Sequence, residues 1–354
     1  RPAAAAAVLA AVLLVALSSS FQIAPAPSLP RAATTTAATT TTALYAEPKT
    51  TSSSSSAAAA AAASSDRRAF LSTAAAATSS IALLGRPAAS EAASSSPTKI
   101  PEWTLDGGVK FPVLALNTVG LSVEDTERAV SFALLDGITH VDFHPGKERD
   151  GVALYLSKHP ESRSSLFLNT KIRKPPPGTS PSDAARRAAD QMDEDLKALG
   201  VDYVDMLMLR DSPDCDVMRA QWKVMEGALR AGKTRSLGVI NYCEGSLRCL
   251  LETAEVKPAL NYYMTHVGMG PDPRGLRSYC DSVKIRTFAY GAVGEPGPDD
   301  AILNSPLLRR IGDDRGGKSP EEVAVRWVLQ GGRAVSVRPA TNFGPGFGVC
   351  EGEG

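Results

Sequence analysis

The chain has 354 residues and sets 38 Lys and Arg against 38 Asp and Glu, a formal net charge of zero. That length holds two average domains or one large one, and the charge balance argues against a broadly basic nucleic-acid-binding surface. The five cysteines (Cys215, Cys243, Cys249, Cys280 and Cys350) are odd in number, scattered and without C-x-x-C spacing. Such a pattern fits neither a disulfide framework nor a zinc site, and it predicts packing residues or free thiols and no metal.

Ala3 to Leu17 form an apolar run behind Arg1. It is too short to span a bilayer, so residues 1–20 read as signal-peptide-like and no permanent membrane span is expected. Residues 21–65 contain the tracts Thr34–Thr42, Ser52–Ser56 and Ala57–Ala63, with few large apolar side chains. They cannot bury enough surface to offset chain entropy and are predicted to be disordered. Their Ser/Thr/Ala-rich, acid-poor make-up is also that of a plastid transit peptide. Residues 66–93 open with Arg67-Arg68 ahead of Phe70-Leu71 and a mildly apolar alanine-rich stretch, which resembles a twin-arginine export signal. In this order the three segments resemble the presequence of a thylakoid-lumen protein. Plastid localisation, in the lumen, with cleavage near Ala88–Ala93, is the expectation.

From about Ile100 the composition changes to mixed charge with regular apolar periodicity. "WTLDGGVKFPVLAL" predicts a hairpin turning at Asp106-Gly107, then a first buried strand. A helix is predicted behind Ser122, with Asp125 in its first turn and a stop at Gly137. "GITHVDF" predicts a strand ending at Asp142, before the turn His144-Pro145-Gly146. "SLFLNTKI" is the next strand, and Ser180-Pro181 opens a helix that closes at Gly200. "DYVDMLML", "RSLGVIN", "PALNYY", "KIRTFAY" and "RAVSVRP" are further strands; a helix through Trp222 separates the first two, and one starting at Ser319-Pro320 precedes the last. Short apolar strands alternating with helices predict a (β/α)8 TIM barrel over residues 99–341, ahead of a doubly wound sheet, because no G-x-G-x-x-G follows a strand. Asp142, Lys171, Arg210, Asn241, Asn261 and Tyr290 are each placed at the carboxyl end of a predicted strand, where barrel enzymes do their chemistry.

These segments resemble the aldo-keto reductase family from Trp103 to about Val337. "GITHVDF" is similar to the family's G-Y-R-H-I-D-T, "LFLNTKI" to L-F-I-T-T-K-L, and "LGVDYVDMLML" to L-G-L-D-Y-V-D-L-Y-L-I-H. The resemblance implies reduction of a small-molecule carbonyl compound with NADPH, using an Asp, Tyr, Lys and His site. Asp142 and Lys171 match, and Arg210 stands where the histidine belongs. The tyrosine is missing from Phe143-His144-Pro145-Gly146-Lys147, a loop about one residue short. His144, on the Asp142 face of the strand, is the substitute acid, with Lys147 as another candidate; Tyr155 falls inside the next helix. Lys171 and Arg210 against Asp142 leave one excess positive charge, which favours an anionic substrate. The cofactor residues implied are Thr118, Asp142, Asn241, Tyr262 (where the family has glutamine), Tyr290 and Arg338. Residues 342–354 form a Gly-rich tail, and the last helix and C-terminal loop of the family have no counterpart in the sequence. Either a protein partner covers the barrel face so exposed, or the terminus is incompletely recorded. The alternative function is a non-catalytic barrel that binds nucleotide or protein, favoured by the joint loss of tyrosine and histidine.

Overall fold

The computed structural model describes residues 99–295 and 298–339. The three leader segments and the Gly-rich tail, and with them the expectation of a missing last helix, lie outside the described residues. Strands β1 (Glu102–Thr104) and β2 (Lys110–Pro112) pair antiparallel. The turn between them places Gly107 and Gly108 at φ +76° and +78°, where a side chain would be strained.

Eight parallel strands follow and close on themselves. They are β3 (Leu114–Asn117), β4 (His140–Asp142), β5 (Phe167–Ile172), β6 (Met206–Arg210), β7 (Leu237–Ile240), β8 (Leu260–Met264), β9 (Arg286–Tyr290) and β10 (Ala334–Val337). Each strand pairs with the next, and β10 pairs with β3. Residues of β3, β5 and β7 are buried throughout, as expected for strands enclosed by side chains inside and helices outside. The (β/α)8 expectation therefore holds, hairpin included.

The helices behind Ser122, Ser180 and Ser319 and the one through Trp222 form where caps and periodicity placed them. Helix α1 (Val123–Leu135) starts at Ser122, whose hydroxyl accepts the Asp125 N–H. After α2 (Lys147–Lys158) comes α3 (Pro181–Leu199), capped by Ser180 and closed by Gly200 at φ +67°. Helices α4 (Cys215–Arg230), α5 (Glu244–Leu251) and α6 (Leu276–Ser282) follow. The β9–β10 connection carries α7 (Asp300–Leu303), α8 (Pro306–Asp313) and α9 (Pro320–Gln330), the last with a full capping box at Ser319 and Glu322. Helices α1 and α2 approach so closely that a Cβ on Gly151 would lie 2.4 Å from Thr126 Cβ, so glycine is required there. Among the described residues no helix is long and apolar enough to cross a membrane.

Two expectations are corrected. Cys215 and Cys249 form a disulfide, with Cα atoms 6.0 Å apart. The barrel brings the start of α4 beside α5, a proximity no linear motif encodes; Cys280 is a free thiol, and Cys243 is outside any disulfide, 3.4 Å from the Ser246 hydroxyl. Asn261 lies near the start of β8, which runs on through Met264. Its amide donates to the Tyr242 carbonyl (2.8 Å), so Asn261 is a buried structural residue away from the mouth.

Candidate active site

The carboxyl ends of β3 to β10 meet in one mouth, and its centre is Asp142, the last residue of β4. Asp142 and Lys171 are both fully buried and form an ion pair. The register places Asp142 beside Asn169, whose amide donates to Asp142 Oδ1 at 3.0 Å. Lys171 also donates to the Phe143 carbonyl at 3.0 Å. Burial pushes the Lys171 ammonium below its usual range, and the Asp142 charge opposes that shift. Two charges out of water are tolerable because each neutralises the other and both take further hydrogen bonds.

Tyr262 reaches the same carboxylate from across the barrel. Its hydroxyl donates to Asp142 Oδ2 at 2.6 Å, accepts from Asn117 Nδ2 at 3.1 Å and lies against the Ser336 hydroxyl. Its ring stacks on Phe288 with centroids 4.3 Å apart. Burial, then the adjacent Asp142 charge, raise its phenol well above the usual range. At the ends of β7 and β9 the Tyr290 hydroxyl donates to Asn241 Oδ1 at 2.8 Å, and Asn241 is held at φ +62°. The Tyr290 ring meets that of Tyr262 edge-on at 5.1 Å.

On the other side of Asp142, His144 pairs through Nδ1 with Glu148 Oε2 at 2.9 Å. Burial lowers the imidazole below its usual range and the Lys171 charge lowers it further, while Glu148 and Asp142 oppose both. Burial works against ionisation of Glu148. The hydrogen bond and charge of His144, the backbone N–H of Gly120 and the Lys171 charge nevertheless hold its carboxyl well below the usual range.

The aldo/keto reductase family pattern matches residues 114–342. The chain belongs to the aldo/keto reductase family. It is 31% identical over 243 residues to an aldo-keto reductase of Mycobacterium tuberculosis, covering 68% of this chain and 81% of that protein. It is 28% identical over 271 residues to an NADPH-dependent codeinone reductase of Papaver somniferum, covering 68% and 80%. Among solved structures, an aldo/keto reductase from Brucella melitensis matches with a TM-score of 0.59 at 25% identity, over 69% of this chain and 90% of that one.

In this aldo/keto reductase the residues between Asp142 and α2 are Phe143, His144, Pro145 and Gly146, with no tyrosine. Asp142, Lys171, Tyr262, Asn241 and Tyr290 are joined in one mouth by the contacts above, and His144, two residues after Asp142, lies within reach of the Lys171 and Asp142 charges. Arg210 ends β6, where burial lowers its guanidinium and the Tyr290, Asp211, Tyr262 and Asp142 charges oppose that. Thr118 is buried, and its hydroxyl faces Glu148 Oε2 at 3.2 Å. Arg338, just past β10, is ion-paired with Glu295. Lys147 is exposed at the first position of α2, and Tyr155 lies within α2 with its hydroxyl beside Ser162 (3.3 Å). Sequence reasoning missed Glu148. The available signal was an acid four residues after His144, in the first turn of the helix that Pro145-Gly146 introduces.

Proposed function

We propose that this aldo/keto reductase reduces a small anionic carbonyl compound with NADPH, and that His144 supplies the proton given elsewhere in the family by tyrosine. The observation carrying this reading is His144 held by Glu148 beside the buried Asp142–Lys171 pair. The name of the Papaver somniferum relative supports NADPH as the cofactor. An amide and an aromatic face at adjacent strand ends, Asn241 and Tyr290, suit the carboxamide and ring of a nicotinamide. Thr118 and Asp142 border the same region, and Arg338 is the cation for a cofactor phosphate, which would have to displace Glu295. When bound, reduced nicotinamide supplies a hydride to the carbonyl carbon. The oxygen then needs one proton, and general acid help of this kind contributes roughly 10²–10⁴-fold. Lys171 and Arg210 favour an anionic substrate, and Arg210 polarises the oxygen without moving a proton.

The depressed imidazole fixes the sign of the pH dependence. A protonated His144 is needed, so turnover rises as pH falls through the lowered titration and is lost above it. The purified protein is to be titrated with NADPH by fluorescence, then offered 2-oxo acids and matched neutral aldehydes. Oxidation of NADPH with preference for the 2-oxo acids is expected. Binding without oxidation by any carbonyl compound would establish the non-catalytic reading instead.

The reading includes plastid-lumen residence, supported by the leader segments and by the Cys215–Cys249 disulfide, a bond typical of oxidising compartments. Mass spectrometry of the protein isolated from its cells is expected to find a mature N-terminus near Ala88–Ala93. A start near Phe21 or Tyr45 would refute the twin-arginine step.

A further inference from the structure

We propose that Glu148 is a positioning residue, which fixes the His144 imidazole with its Nδ1 hydrogen on the Glu148 carboxylate so that the proton given to substrate leaves from Nε2. The inference rests on the proposed function above, in which His144 is the donor.

Four donors converge on this carboxylate. Oε1 accepts the Gly120 N–H at 2.9 Å; Oε2 accepts the His144 N–H at 2.9 Å, the Thr118 hydroxyl at 3.2 Å and His144 Nδ1 at 2.9 Å. An ionised carboxylate only accepts, so the last contact requires hydrogen on Nδ1. The second proton of the ring then belongs to Nε2, a buried atom that a substrate oxygen must approach to hydrogen-bond distance. One oxygen holds both the main chain and the ring of His144, so turning the imidazole breaks its Nδ1 bond to an acceptor that the main chain keeps in place. The side chains of His144 and Glu148 are 13% and 12% exposed, so water competes weakly for these bonds. Chain geometry makes the arrangement: Gly146 at φ +104° turns β4 into α2 so tightly that Glu148 comes back beneath His144. Through Thr118 and Gly120 the same carboxylate ties the donor to the loop after β3.

The charges acting on His144 come from each neighbouring element: Glu148 from α2, Asp142 from β4 and Lys171 from β5. The next cation is Arg173, whose guanidinium borders Gly146. Glu148 and Asp142 favour the imidazolium, while Lys171 and burial oppose it. In the step itself, the carbonyl carbon would take a hydride, which reduced nicotinamide would supply when bound, and the carbonyl π pair would move to oxygen. The Nε2–H bond breaks, its electron pair stays on the ring, and the proton joins that oxygen. Alcohol, oxidised nicotinamide and neutral His144 would result, and the imidazole would be reprotonated before the next turnover.

Glu148→Gln keeps the size and one acceptor oxygen but removes the charge. Followed by ¹⁵N–¹H NMR, His144 is expected to titrate lower in the variant by about one pH unit or more. The limb over which carbonyl reduction falls with rising pH moves the same way by the same amount. The loss lies in kcat, with the KM for NADPH little changed, and lowering the pH restores turnover. A uniform loss at every pH with an unmoved imidazole titration overturns the proposal. Should the variant not fold, the wild-type spectrum decides: neutral His144 must carry its hydrogen on Nδ1, and the Nε2–H tautomer overturns the assignment. His144→Ala with unchanged turnover overturns the proton-donor reading itself. His144→Ala inactive beside a Glu148→Gln indistinguishable from wild type overturns only the role of Glu148.

Discussion

His140 opens β4 and His144 lies just past its end, so one short strand carries one histidine to the barrel floor and another to its mouth. Both imidazoles are lowered first by burial, yet their neighbours differ. His140 is boxed by Phe111, Phe167 and Phe288, with ring centroids 4.8, 4.6 and 5.4 Å away, and its Nδ1 donates to the Pro112 carbonyl at 3.0 Å. Its titration is pushed down to about 4, and the ring serves as a neutral aromatic that locks hairpin to barrel. His144 has a carboxylate where His140 has a carbonyl; the Asp142 and Lys171 charges act on both rings, and phenylalanines enclose His140. Barrel position and the charge of the partner, more than residue type, separate a structural imidazole from the proposed proton donor.

The largest expected effect tests the mouth. Lys171→Met leaves Asp142 as a buried carboxylate without its cation, which costs about 3–5 kcal/mol. Denaturant unfolding should show that loss at neutral pH. Carbonyl reduction should fall at least about a hundredfold, on the scale of losing proton and charge assistance. Retained turnover would mean that the mouth does not use the pair on which the active-site reading is built.

The floor gives the next effect, in stability alone. The folded protein resists protonating His140 until about pH 4, whereas the unfolded chain binds that proton near 6.5. The contribution is therefore fully present above about 6.5 and is lost as pH falls towards 4, by about 3 kcal/mol in total. His140→Phe keeps an aromatic ring in the box, loses about 1 kcal/mol with the Pro112 bond, and removes this part of the acid sensitivity. Chemical denaturation at pH 7 and 4.5 checks it. An equal pH slope in both proteins would show that His140 is not the floor's titrating group. Turnover at pH 7 should hardly change, which sharpens the contrast with His144.

The barrel was legible because every level agreed: strand–helix alternation, the caps at Ser122, Ser180 and Ser319, and the stop at Gly200. Asp142 and Lys171 were legible because a charge in an apolar strand needs a partner. The disulfide was not, since Cys215 and Cys249 become neighbours only when the ring of helices closes. Asn261 was misplaced because Tyr262, Tyr263 and Met264 extend the strand without an obvious end. Glu148 reads in sequence as a solvated acid at a helix start, and only the Gly146 turn brings four donors onto it. Tyr262 was read as facing the cofactor. What the sequence did not show is its hydroxyl bonded to Asp142 and Asn117, cross-barrel contacts fixed by register between distant strands.

Tyr262 links the two regions, stacked on Phe288 below and bonded to Asp142 above, and it supports the smallest prediction. A phenol beside Asp142 and Lys171 invites the idea that the family's tyrosine has moved to another strand. The physical chemistry runs against this: the residue is 1% exposed, its hydroxyl is spent on a carboxylate, and burial with Asp142 holds the phenol well above its usual range. Such a group gives up a proton poorly. Tyr262→Phe should therefore cost about 1–2 kcal/mol of stability, for the lost bond and for Asn117 and Ser336 left to re-pair. The pH at which carbonyl reduction declines should stay where His144 sets it, with turnover within about tenfold of wild type. A drop of a hundredfold or more together with a displaced pH profile would move the proton donor from His144 to Tyr262. Measuring His144→Ala and Tyr262→Phe under the same conditions separates the two, because only the true donor carries the pH dependence with it.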